Sequence, residues 1–216
     1  MSINAILTPS DIFDKVQRKG MKRPIAGLRE QHKAATRKEL SRFGLQLFLK
    51  QGFANTTIDE IVAPLGIAKR TFFRYFDTKE DLVFAWQEDK TSGLVEALAA
   101  RPERETPFKA VCEALSSLLD RYDAYPDRAF ALMRLIKETP SLVGKDLEKQ
   151  ALWERALADG LIDREGKRAM SRIKAQIIVG VVMSAFSAAL DEWYAGGGKG
   201  DLRRIVKKAF SIAERL

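Results

Sequence analysis

Lys69, Arg70, Thr71, Arg74 and Tyr75 stand within a single short stretch, and all of them can donate hydrogen bonds. A long basic side chain can reach the acceptors on guanine, and the Thr71 methyl can pack on a thymine methyl. Lys69, Arg70, Thr71 and Arg74 are therefore the expected readers of base edges. Thr56, Thr57, Tyr75 and Lys79 are the expected phosphate contacts, Lys79 also because it opens a helix whose amino terminus favours anions. The chemistry implied is recognition of a DNA duplex.

Such residues work only if something rigid presents them. The stretch TTIDEIVAPLGIAKRTFFRYF, Thr56 to Phe76, reads as two short helices joined by a turn, the second suited to the major groove. Thr57 precedes the apolar positions Ile58, Ile61, Val62 and Leu65, and Glu60 stands three residues on, a capping-box pattern. Pro64 should kink or end the first helix near Ala63, because its ring clashes with the carbonyl of Glu60. Gly66 can take the positive φ of a tight turn. Ile67, Phe72 and Phe76 should return to the core. Thr78 and Asp81 repeat the capping pattern for a helix expected over Lys79–Ala100. A long helix over Leu28–Gln51, with Leu40, Phe43, Leu47 and Phe48 on helical spacing, should lie behind the motif.

Here the chain resembles the TetR family of transcriptional regulators. The likeness runs from about Leu28 to Trp86 through LREQHKAATRKELSRFGLQLFLKQGF, NTTIDEIVAPLGIA and KRTFFRYFDTKEDL, with FRYFDTKEDL its most specific part. The resemblance implies a homodimer with an amino-terminal DNA-binding domain and a helical carboxy-terminal domain. A small molecule bound there would release the operator. Two departures stand out. Ala68 replaces a frequent capping Ser, at a cost of about 1 kcal/mol. Phe73 replaces a frequent Tyr and removes one hydroxyl. The segments RAFALMRLIKETPSL, QALWERALADGL and SAALDEWYAGGGKGDL are similar to mycofactocin-type relatives, which implies an acyl-CoA-like ligand.

Phe84, Trp86, Phe108, Phe130, Met133, Trp153, Met183 and Phe186 are candidates to line a ligand pocket; plain core is the alternative for each. An acyl-CoA would also need basic groups for its phosphates. Arg128, Arg134 and Arg155 could serve, or could be ordinary surface ion pairs.

Composition agrees with a nucleic-acid-binding front. The chain of 216 residues carries a net charge of +8. Residues 1–79 hold 15 Lys and Arg against 7 Asp and Glu, whereas residues 80–216 hold 22 of each. A basic head on a neutral body suits phosphate contact plus a separate second task. The expected division is a basic arm over 1–27, a helix-turn-helix domain over 28–78, and a ligand-binding and dimerisation domain over 79–216. The arm should touch phosphates or the minor groove, or be a disordered tail.

The body reads as helices over Thr106–Ala124, Pro126–Glu138, Ser141–Asp159, Glu165–Ala195 and Asp201–Leu216, giving an all-α fold. Ile173, Ile177, Val181, Ser184 and Ala188 fall near one stripe, and Leu202, Ile205, Ala209 and Ile212 on another. Two such helices from each subunit would make a four-helix dimer interface.

Other chemistries find little support. There is no Ser/His/acid set, no phosphate-cradling glycine loop and no metal cluster, so neither an enzyme nor a cofactor is expected. Cys112 and His32 are each alone. The uncharged run Ile177–Leu190 is too short to span a bilayer, and no secretory leader is evident, so a cytoplasmic, nucleoid-associated location with no membrane partner is expected. The second reading is a nucleoid-associated binder without sequence preference.

Overall fold

The computed structural model describes residues 25–85, 89–166 and 170–216, with side chains described from Gln31 except at Asp89, Lys90 and Arg121. The arm over residues 1–24 and Trp86 lie outside the described residues. The described residues form helices and their connections, with no strand among them. By contact density the chain divides into residues 1–37 and residues 38–216. Within the first unit the described part is helical, and Gln31 to Ala35 are exposed. His32 is thus on the surface.

Helix α1 spans Ile25–Gln51, α2 Ile58–Val62, α3 Lys69–Phe72 and α4 Lys79–Phe84. Pro64 acts as expected: α2 stops at Val62 and a 3-10 turn covers Ala63–Leu65. Gly66 then takes φ 64°, the left-handed conformation that turns the chain toward α3. The apolar residues Leu40, Leu45, Phe48, Phe53, Ile61, Val62, Phe72 and Phe76 are buried together with Leu82, Val83 and Phe84 of α4. A fully buried Phe of this kind contributes about 1.5–3 kcal/mol. A Cβ on Gly44 would stand 2.6 Å from Leu82 Cδ2, so only glycine lets α1 and α4 approach this closely. The same contact is pinned by Ser41, whose buried hydroxyl donates to the Leu82 carbonyl at 3.2 Å.

The body follows as α5 Asp89–Ala99, α6 Pro107–Ser116, α7 Leu119–Ala124, α8 Pro126–Glu138, α9 Pro140–Glu165, α10 Arg172–Ala195 and α11 Leu202–Ala213. The helix expected over 106–124 is divided, because the hydroxyls of Ser116 and Ser117 fold back onto the carbonyls of Cys112 and Ala114. Gly160 does not end α9; the helix runs through it to Glu165 and stops at Gly166. Consequently α10 begins at Arg172, capped by the Ser171 hydroxyl on the Lys174 N–H at 3.2 Å.

Helix α10 is the spine of the body. Ala175, Val179, Val182, Met183, Phe186, Ala189 and Trp193 form its buried face. Trp193 meets Tyr122 and Phe130 edge-on at 6.0 and 5.8 Å between centroids. The expectation about its length needs correction. The helix has 24 residues and is apolar enough to cross a membrane by length and composition. What marks it as a packing helix is the buried face within the body core.

Candidate DNA-recognition surface and ligand cavity

Helix α3 is short and anchored from behind. Phe72 and Phe76 are buried with ring centroids 5.3 Å apart, and Phe73 meets Phe72 edge-on from the exposed side. The next turn is held by Tyr75 N–H to the Phe72 carbonyl at 2.8 Å and Phe76 N–H to the same oxygen at 3.0 Å. This anchoring offsets the weak start at Ala68, which supplies no side-chain cap. Arg70 and Arg74 are exposed, and Thr71 and Tyr75 are half-buried. Ile67 is half-buried rather than fully within the core.

The five side chains do not stand alike. Arg70 makes no hydrogen bond or ion pair with the described residues. Lys69 is engaged: its Nζ lies 2.8 Å from Asp59 Oδ2, an ion pair across the helix-turn-helix. Arg74 donates to the Tyr75 hydroxyl at 3.2 Å, and its guanidinium lies 5.1 Å from that ring's centroid.

Among the expected phosphate contacts, Thr56 requires correction. It is buried, and its hydroxyl donates to the Gly52 carbonyl at 2.8 Å, so that hydroxyl is not offered to a phosphate. Thr57 is exposed, but its hydroxyl serves the capping box, accepting from Glu60 N–H at 3.2 Å while Glu60 accepts from Thr57 N–H at 2.7 Å. Those bonds from Thr57 hold the Glu60 carboxyl below its usual range. Lys79 acts partly as a structural tie. Its Nζ donates to the carbonyls of Phe53 and Thr56 at 2.7 and 2.9 Å and sits 4.2 Å from the Phe53 ring centroid. One of its three N–H groups is left over.

A second feature lies in the body. A cavity of about 420 Å³ opens between α7, α8, α9 and α10 and reaches Leu45 of α1. Met133, Trp153, Met183 and Phe186, four of the candidates named from the sequence, line it. Four other candidates do not. Phe84 is buried in the core of the head, Phe108 packs on the body core, Phe130 stacks on Tyr194 at 5.6 Å, and Arg134 is exposed away from the wall. Of the candidate cations, Arg128 reaches the wall, while Arg155 donates to the Ala151 carbonyl instead.

Sequence reasoning missed the polar lining: Tyr122, Tyr125, Lys137, Asp146, Lys149, Gln150, Ser187 and Asp191. A signal existed. Asp146, Lys149, Gln150 and Trp153 repeat at spacings of three and four, which sets them on one face of α9. Burial pushes the Tyr122 hydroxyl up to about 12, with Asp146 adding to it, so Tyr122 stays protonated and can donate. Cys112 lies elsewhere, in the body core, and burial pushes its thiol up to about 12 as well. A thiolate sensor is not favoured there.

Comparison with known proteins agrees with this arrangement. Residues 43–86 match the family model for bacterial regulatory proteins of the tetR family, and residues 105–215 match the MftR C-terminal domain. The chain is 32% identical to the HTH-type transcriptional regulator TcmR of Streptomyces glaucescens, over 78% of this chain and 77% of that one. It is 26% identical to MftR of Mycobacterium tuberculosis, named for mycofactocin biosynthesis, over 71% and 79%. Among solved structures, the Thermus thermophilus repressor FadR in complex with lauroyl-CoA superposes with a TM-score of 0.55. It covers 82% of this chain and 93% of that one at 17% identity, a likeness of fold. With a helix-turn-helix in front, a helical body behind and both halves matched by family models, the chain belongs to the TetR family of transcriptional regulators and is not an enzyme.

Proposed function

We propose that this regulator is a homodimeric, sequence-specific repressor whose hold on its operator is released by a small molecule bound in the body cavity. The observation that carries the reading is the pairing of two features in one chain. Exposed Arg70, on α3, and Arg74, in the turn after it, are held in place by buried Phe72 and Phe76, and a separate cavity of about 420 Å³ lies in the body. Arg70, Thr71 and Arg74 are assigned to base edges, with Lys69 joining them if it exchanges Asp59 for DNA. Tyr75 and the spare N–H of Lys79 are assigned to phosphates, with Thr57 joining them if its capping box to Glu60 opens. The functional units are 28–78 for DNA and 79–216 for ligand and dimer, and the site of action is the cytoplasm, at the nucleoid.

The effector class implied by the carboxy-terminal resemblance is acyl-CoA-like. An acyl chain suits the apolar wall, but the phosphates of the coenzyme require cations. Sequencing the genomic fragments retained by purified protein tests the central claim. A small set of fragments sharing one inverted repeat is expected, spaced for two heads one helical turn or a multiple apart. Uniform retention of all fragments, lost steeply with salt, would favour the nucleoid-associated alternative.

A further inference from the structure

The charges on the cavity wall are almost all paired with each other. Asp146 accepts from Lys149, one turn later on α9, and from Gln150 Nε2 at 2.7 Å. Across the cavity Lys137 of α8 pairs with Asp191 of α10. Each lysine is also held by an aromatic face: Lys149 Nζ lies 4.9 Å from the Trp153 centroid, and Lys137 Nζ lies 5.4 Å from that of Tyr194. Arg128 lines the wall as well and makes no hydrogen bond or ion pair among the described residues. The described wall thus amounts to two neutral pairs and one unpaired guanidinium.

This arrangement selects by charge. Several phosphates entering such a site would have to draw the lysines away from Asp146 and Asp191 and would leave two carboxylates facing the incoming anion. A single anionic or phenolic oxygen needs none of that, because Arg128 can take it with a charge-assisted hydrogen bond. The rest of the wall favours flat, polarisable surface. Tyr122, Tyr125, Trp153 and Phe186 offer ring faces and edges, and Met133 and Met183 add soft sulfurs. The volume matches a drug-sized molecule.

We infer that the cavity takes an aromatic, ring-fused molecule with at most one negative charge, its anionic or phenolic oxygen held by Arg128, in preference to a phosphate-bearing thioester. This rests on the reading of the cavity as the effector site.

The test is calorimetric titration of the full chain with anthraquinone-2-carboxylate and, separately, with lauroyl-CoA. The carboxylate is expected to bind with micromolar Kd, and Arg128→Gln to weaken it about tenfold, the loss of one charge-assisted hydrogen bond. Lauroyl-CoA is expected to bind at least about tenfold more weakly than the carboxylate. Asp191→Asn, which frees Lys137, should tighten lauroyl-CoA and leave the carboxylate little changed. Arg128 and Asp191 are exposed, and matching thermal melts of the variants exclude unfolding as the cause. Tighter binding of lauroyl-CoA by the wild-type chain, or no binding of the carboxylate, overturns the inference. The regulator reading is judged apart, by retention of genomic fragments without ligand. Fragments retained while the carboxylate fails to bind would sink the inference alone.

Discussion

At the residue scale, the side chains proposed to meet DNA differ in what each must give up to reach it. Arg70 gives up only water. Lys69 must leave Asp59, although both are exposed and the pair is worth about 1 kcal/mol at most. Arg70→Ala should therefore weaken operator binding by about 1–3 kcal/mol while leaving random DNA nearly unaffected. Fluorescence anisotropy on both duplexes checks this, and an equal loss on the two would reassign Arg70 to phosphate. Lys79 belongs to a different class, since its ammonium ties the loop after α1 to the start of α4. Lys79→Met should lower stability by about 1–3 kcal/mol, two charged hydrogen bonds being lost, as read by urea unfolding. Unchanged unfolding with weakened DNA binding would instead make Lys79 a pure phosphate contact. The residue types at this surface were legible because basic and hydroxyl side chains clustered on a short helix after a tight turn point to an anionic partner. Their existing commitments were not. Thr56 looks from the sequence like a free hydroxyl beside Thr57, and only the fold turns it inward onto Gly52.

At the element scale, α9 touches both the cavity and the head, as α8 does through Leu132 and Ile136. Lys149 and Trp153 line the cavity, while Lys145, one turn before Lys149, holds Asp81 of α4 at 3.1 Å. Asp81 also accepts from Thr78 N–H at 2.7 Å and so caps the helix that follows the recognition motif. Burial alone would raise its carboxyl, but the Thr78 bonds and the Lys145 ammonium outweigh it and hold Asp81 below its usual range. The stability this brings is present above the unfolded aspartate value of about 3.9 and lost as the pH falls through the lowered folded value. Lys145, raised chiefly by its hydrogen bond to Asp81, contributes below its unfolded value of about 10.4 and is lost only at more alkaline pH. The contact is therefore constant between pH 6 and 9. Lys145→Ala should cost about 1 kcal/mol or less, the pair being partly exposed. Wild type and variant melts should differ by the same small amount across that range and converge only as the pH falls below the ordinary aspartate range. A difference that instead grew between pH 6 and 9 would contradict the assignment. Helix boundaries were legible where a cap or proline marks them, as at Thr57, Pro64, Thr78 and Pro126. They were misread at Gly160, where continued packing carries α9 onward, and at Ser116–Ser117, where hydroxyls compete for backbone carbonyls.

At the scale of the whole molecule, an apolar stripe on α10 is left uncovered among the described residues. Ile173, Ile177 and Val181 repeat every four residues on α10 and are 70%, 60% and 38% exposed, and Ile212 of α11 is 47% exposed. Isolated exposed apolar residues are common, but a stripe along one helix with an apolar neighbour on the next is the pattern of an interface between helices. Ser184 and Ala188 continue the α10 stripe with small residues that permit close approach. A second copy related by a two-fold axis would cover it and set two recognition helices for two half-sites. Ile177→Glu places a charge at the middle of that stripe without disturbing the core beneath, since Ile177 packs outward. The variant should keep its helical circular dichroism and sediment as a monomer where the wild type sediments as a dimer. Its operator affinity should fall by at least about tenfold, because one head alone loses the second half-site, while its single-site binding of the cavity ligand persists. Dimeric sedimentation of the variant, or a wild type that is already monomeric at operator-saturating concentrations, would mean that the stripe serves some other purpose and that the two heads are brought together in another way.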